Sequence, residues 1–131
     1  MYINRHGLQF SNRDAWNVDM TLNPIIAKCI RKYMEQKDRD WFGYPQGTTE
    51  GEWLVILEKI CYAFESKEPE MPDGILKMNR GERFEDGSVT CNIEILNQEI
   101  YDRVTKEAEE WQAKKKEGRE LFAKYYESLW W

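Results

Sequence analysis

The sequence has almost no histidine. Its single one, His6, lies well apart in the chain from Cys29, Cys61 and Cys91, and no two cysteines form a CxxC pair. Structural zinc takes four nitrogen or sulfur ligands, usually in closely spaced pairs, so this composition argues against such a site. An odd number of cysteines also offers no complete disulfide framework and fits a reducing compartment. Two of the three, Cys29 and Cys61, fall on apolar helix faces, where buried free thiols sit. The opening MYINRHGLQF has no apolar core of a secretory signal, and no apolar run approaches the roughly 18 residues of a membrane span. A P-loop, a nucleophile elbow and a dinucleotide fingerprint are missing too. So is an excess of positive charge: 19 Lys and Arg stand against 24 Asp and Glu, for a net −5. The one dense basic run, Lys114 to Lys116, is flanked by Glu109, Glu110, Glu117 and Glu120 and reads as a solvated helix face. The balance argues against a nucleic-acid partner and suits a basic protein partner.

What the chain does have is aromatic surface. Aromatics make up 14% of its 131 residues, with six Trp and seven Tyr, and 41% of the residues are hydrophobic. That is enough apolar matter for one folded domain, 1–131, with a core of its own.

Ser11 and Asp14 form S-x-x-D, a carboxylate variant of the capping box, and predict a helix start. Trp16, Met20 and Asn23 follow on one face, with Asp19 beside them. Pro24 predicts a kink or break near Thr21–Asn23. Ile25, Ile26, Cys29, Ile30, Tyr33 and Met34 then keep 3.6-residue spacing to about residue 37. The loop of residues 38–47 carries Trp41, Phe42 and Tyr44, which either fold back on the core or offer a sticky surface, the first being favoured. Thr49 to Glu52 is a T-x-x-E capping box. It opens the strongest helical signal, Trp53, Ile56, Leu57, Ile60, Cys61 and Phe64, with Glu58, Lys59 and Glu65 facing away. After a Pro-rich connector, Asp86-Gly87 marks a hairpin turn, and the alternating Val89, Cys91, Ile93 and Ile95 predict a half-buried strand. The last segment, about 97–129, keeps Ile100, Val104, Ala108, Trp111, Phe122, Tyr125 and Leu129 on a nearly constant face. Gly118 inside it costs about 1 kcal/mol against alanine, which points to close approach of another helix or a bend.

The expected fold is therefore mainly α: a bundle of two medium helices and one long C-terminal helix (about 12–37, 50–65 and 97–129), with a small β-hairpin inserted at about 74–96.

The segments SNRDAWNVD, TTEGEWLVILEKICYAFE and EGRELFAKYYESLWW are similar to those of a group of small proteins from tailed phages and prophages. The likeness covers roughly residues 7–37, 41–65 and 117–131. Trp16, Asp19, Trp53, Ala63-Phe64, Glu117-Gly118, Leu121-Phe122 and Leu129-Trp130 sit where that group places like residues. Asn12 separates Ser11 from the Arg13-Asp14 pair, Asn17 and Asn23-Pro24 depart from the pattern, and residues 70–97 have no counterpart. The resemblance implies a phage accessory protein in the cytoplasm of an infected bacterium, and it implies no mechanism.

For chemistry, Glu107-x-x-Glu110 has the carboxylate spacing of a helical Mg²⁺ site, but no second helix supplies its partner, and a solvent-facing pair is the simpler reading. Arg13 at a helix start beside Trp16 could hold a phosphate and a stacked base, with Asp19 in the same ligand site and Trp53, Tyr125, Tyr126, Trp130 and Trp131 adding flat apolar walls. Alternatively, Arg13 pairs with Asp19 or the C-terminal carboxylate, while Trp16, Trp53 and Trp130 form one core cluster. Tyr126, Trp130 and Trp131 are the candidate interface, since a terminal tryptophan pair should dock on its own domain or on a second copy. The expectation is a non-enzymatic binder needing no cofactor, whose partner is a host protein or a nucleotide-like small molecule. A metal-dependent hydrolase and a minor component of the phage particle are the alternatives.

Overall fold

Local signals place most of the helix starts in the computed structural model, which describes residues 1–129 and is mainly α. A tight two-residue turn at Arg5-His6, with Gly7 at φ +101°, joins β1 (Tyr2–Asn4) to β2 (Gly7–Gln9). Then come α1 (Asn12–Trp16), α2 (Val18–Met34), α3 (Glu50–Glu65), β3 (Leu76–Arg83), β4 (Val89–Ile95), α4 (Gln98–Tyr125) and a 3-10 turn, Tyr126–Ser128. The first of the two expected medium helices is thus two helices. Its break falls at Asn17 (φ −128°, ψ 78°), not beside Pro24, which lies inside α2. Thr21 bonds across the joint: its amide donates to the Asn17 carbonyl at 3.1 Å, and its Oγ1 donates to the Asp14 carbonyl at 2.8 Å. At the other end, Gln36 and Lys37 donate to carbonyls three residues back, which tightens the chain out of the α-helix after Met34.

Contacts divide the chain into two compact units. One comprises Met1–Lys67 with the residues from Ala113 onward, the other Glu68–Gln112. The first is built on α3. Thr49 Oγ1 accepts the Glu52 amide at 3.2 Å and Glu52 Oε2 accepts the Thr49 amide at 3.1 Å, which completes the expected capping box. The stripe behind that cap buries Trp53, Leu57, Ile60 and Cys61 completely. Ile30 and Tyr33 of α2 and Phe42 of the following loop pack into the same cluster, joined by Leu121, Phe122 and Tyr125 of α4 and by Leu129. Ring pairs join the elements: Tyr33 with Phe42 at 5.0 Å, Trp53 edge-on to Tyr125 at 5.4 Å, and Phe64 edge-on to Phe122 at 5.0 Å. Of the three loop aromatics only Phe42 folds inward, while Trp41 and Tyr44 are exposed. Cys29, expected on the buried face of α2, is exposed, because the buried line follows Ala27, Ile30 and Tyr33.

In the second unit β3 and β4 pair antiparallel, Leu76 opposite Ile95 and Met78 opposite Ile93, with an irregularity between Arg80 and Arg83. At the turn, Asp86 Oδ1 accepts the Ser88 amide at 2.9 Å and the Ser88 hydroxyl at 2.6 Å, and Gly87 takes φ +88°. The half-buried strand expected from alternation is instead mostly exposed. Val89, Cys91 and Ile93 face solvent and only Ile95 is partly covered, since a lone two-stranded ribbon shields neither of its own faces. Ile75, Val104 and Trp111 are the buried apolar residues of this unit.

Candidate functional site

The polar cluster at the start of α1 divides into an anchor and a display. Asp14 is the anchor. One oxygen, Oδ2, accepts from the Ser11 amide at 2.8 Å, the Ser11 hydroxyl at 2.8 Å and the Met1 amine at 2.7 Å. The Met1 amine first, and then the Ser11 amide and hydroxyl, hold its carboxyl down at about 2. With the Asp14 carbonyl bonded to Thr21, this residue ties the first residue of the chain, α1 and α2 together.

The display is apolar. Nine of the nineteen large hydrophobic residues exposed among the described residues fall within the first 22 positions, Ile3, Leu8, Phe10, Trp16, Val18 and Met20 among them. Trp16 is 86% exposed, and α1 buries none of its residues. Arg13 lies one turn before Trp16 on α1, and Asp19 lies in the first turn of α2. Neither forms an ion pair among the described residues, so the expected Arg13–Asp19 pair is not made.

Trp53 is elsewhere. It is 0% exposed in the core of the first unit, where Tyr125 also packs, so neither presents a wall to a ligand beside Arg13. The alternative cluster of Trp16, Trp53 and Trp130 fails on the same contrast in burial. Trp130 and Trp131 lie outside the described residues. Tyr126 is exposed, although its ring also packs edge-on against Phe122 at 5.4 Å.

The carboxylates do not gather. Glu107 and Glu110 are exposed, His6 is exposed and accepts from Arg5 Nε at 3.1 Å, and among the described residues no three His, Cys, Asp or Glu side chains converge as a metal would require. Glu58 and Glu65, read as facing away, instead reach across to Arg31 of α2. Its guanidinium donates to Glu58 Oε1 at 2.7 Å and to both oxygens of Glu65, and those two acids raise its pKa, Glu65 the more. Their i, i+7 spacing, two helical turns on one face, sets the two acids side by side but does not name the cation they meet.

A further signal for the display is compositional. Residues 1–27 contain neither Lys nor Glu, although charged residues are 33% of the chain. Protein interface cores are depleted in these two residues and enriched in aromatics, Met and Arg. No family model, curated protein or solved structure matches the chain.

Proposed function

We propose that this chain is a non-enzymatic phage accessory protein, which acts in the cytoplasm of the infected bacterium by binding a host protein through the surface of its first 22 residues. The observation that carries the reading is the exposure of Trp16 on a helix that buries nothing, bonded to its neighbours through Asp14 and Thr21. A tryptophan and an arginine on a pinned backbone make the kind of anchor that dominates protein interfaces, because little freedom is lost on binding. A nucleotide-like ligand at Arg13 and Trp16 is less well supported. Small molecules bind where a concave site covers about 70–90% of their surface, and an indole 86% exposed has almost nothing around it to form such a wall. The phage setting rests on the resemblance of the three helical segments.

The test is a pull-down from host lysate with the wild-type chain, Trp16→Ala and Arg13→Glu, with light scattering of each alone. A host protein retained by wild type and lost by both variants, at unchanged melting temperature, is the expected result. A concentration-dependent dimer lost with Trp16→Ala would assign the surface to a second copy. Nucleotide or ester hydrolysis lost on Asp19→Ala would overturn the reading in favour of an enzyme.

A further inference from the structure

A groove of about 930 Å³ runs along α3, lined also by α2 and by the second half of α4. Its size lies within the roughly 300–1,000 Å³ of small-molecule sites. Met34, Leu54, Val55 and Tyr62 give it an apolar surface. Val55 is more than half exposed, on the outer side of a helix whose other large aliphatic residues are buried or partly covered.

The charges around this apolar surface are unequally committed. All four carboxylates on the groove are ion-paired, by three cations: Glu58 and Glu65 share Arg31, Glu117 has Lys59 at 2.8 Å, and Glu35 has Lys32 at 2.7 Å. Lys37 and Lys114 also line it, and neither has a carboxylate partner among the described residues. Lys114 Nζ stands 5.8 Å over the Tyr62 ring, a contact that orients the ammonium without neutralising it. An anion entering here meets two ammonium groups without a carboxylate partner among the described residues, while every carboxylate on the groove is ion-paired, in a protein whose net charge is −5.

We infer that this groove binds a small anionic aromatic molecule, its acid group on Lys114 and its ring against Leu54, Val55 and Tyr62. The site is separate from the N-terminal surface and does not depend on the function proposed for it.

The probe is 8-anilinonaphthalene-1-sulfonate, titrated by fluorescence into the full chain, beside N-phenyl-1-naphthylamine, which has the rings without the sulfonate. Saturable sulfonate binding is expected, weakened about tenfold or more by Lys114→Glu, as loss of a charge-assisted contact implies. Val55→Asp weakens it comparably. Lys106→Glu, the same charge change elsewhere on α4, and Trp16→Ala leave it within about twofold, less than half of one such contact. Equal binding of the neutral probe, indifference to Lys114→Glu, failure to saturate, or loss with Trp16→Ala would each overturn the assignment.

Discussion

Gly118 lies directly against Ala63: a Cβ built on the glycine would stand 2.6 Å from the alanine methyl and closer still to the Lys59 carbonyl oxygen. Of the two reasons that Gly118 suggested, close helix approach is the one found. In an open helix, Gly→Ala gains up to about 1 kcal/mol. Here the obstacle is backbone, which cannot step aside as a side chain can, and overpacking of this kind costs about 1–3 kcal/mol. Gly118→Ala should therefore lower the urea midpoint. Gly51, in the first turn of α3, has nothing within 4 Å of its added Cβ, so Gly51→Ala should raise it. Equal shifts in the two variants would mean that α3 and α4 do not approach as described.

Trp16 and Trp53 should separate cleanly in a stability assay. Trp53→Ala removes a fully buried indole, with an expected cost of about 3–5 kcal/mol. Trp53 Nε1 has no hydrogen-bond partner among the described residues, so Trp53→Phe gives up volume and no bond, and should cost clearly less. Trp16→Ala, on the surface, should stay within about 0.5 kcal/mol of wild type. Chemical denaturation of the three variants measures all of this. A large loss in Trp16→Ala would make Trp16 a packing residue and remove the basis for the binding surface.

The two tryptophans also show what a sequence can convey. Trp53 heads a run of six apolar residues at helical spacing behind a capping box, and such a run has one stable disposal, burial against other helices. Trp16 was followed on its face only by Met20 and the polar Asn23, too short a stripe to decide burial. Ser11 with Asp14 and Thr49 with Glu52 were legible because a cap is completed within four residues. The break at Asn17 was not, because it rests on a bond from Thr21 back to the Asp14 carbonyl, seven residues away. Nor was the fork at Arg31. The spacing of Glu58 and Glu65 puts them on one face, but which helix that face meets is a matter of packing.

The three cysteines should react at two distinct rates. Cys29 and Cys91 are exposed and Cys61 is buried beside Met34, sulfur to sulfur at 4.0 Å. Burial pushes the Cys61 thiol up to about 11, against a smaller opposing pull from Arg31, and only the thiolate is nucleophilic. Timed reaction with a thiol reagent near neutral pH should modify two sites quickly and the third only on unfolding. Because the folded state holds this proton more tightly, the contribution of Cys61 to stability is complete below the ordinary thiol value near 9 and is lost as pH rises toward 11. Cys61→Ala should flatten the stability profile in that window. Fast modification of all three thiols in the native protein would contradict the burial of α3.

Asp14 governs the opposite end of the pH scale. Its carboxyl is held at about 2, below its ordinary value of 3.8, by the Met1 amine and by the Ser11 amide and hydroxyl. A depressed value means that the folded state favours the carboxylate, so the stabilisation is present above about 3.8 and lost as pH falls toward 2. Protection of the α1 amides, measured as the intrinsic exchange rate at each pH divided by the observed rate, should therefore fall across that interval, ahead of protection in α3, whose core contacts do not involve Asp14. Asp14→Asn cannot accept from the amine as a carboxylate does. It should show the lower α1 protection already at neutral pH, and little change in that protection on acidification. Ser11→Ala removes the hydroxyl and keeps the amide and amine contacts, so its behaviour should be intermediate. If α1 protection in the wild type is flat between pH 5 and 2 (a range spanning both values), Asp14 does not hold the N-terminal surface in place, and the pinned backbone invoked for Trp16 is lost with it.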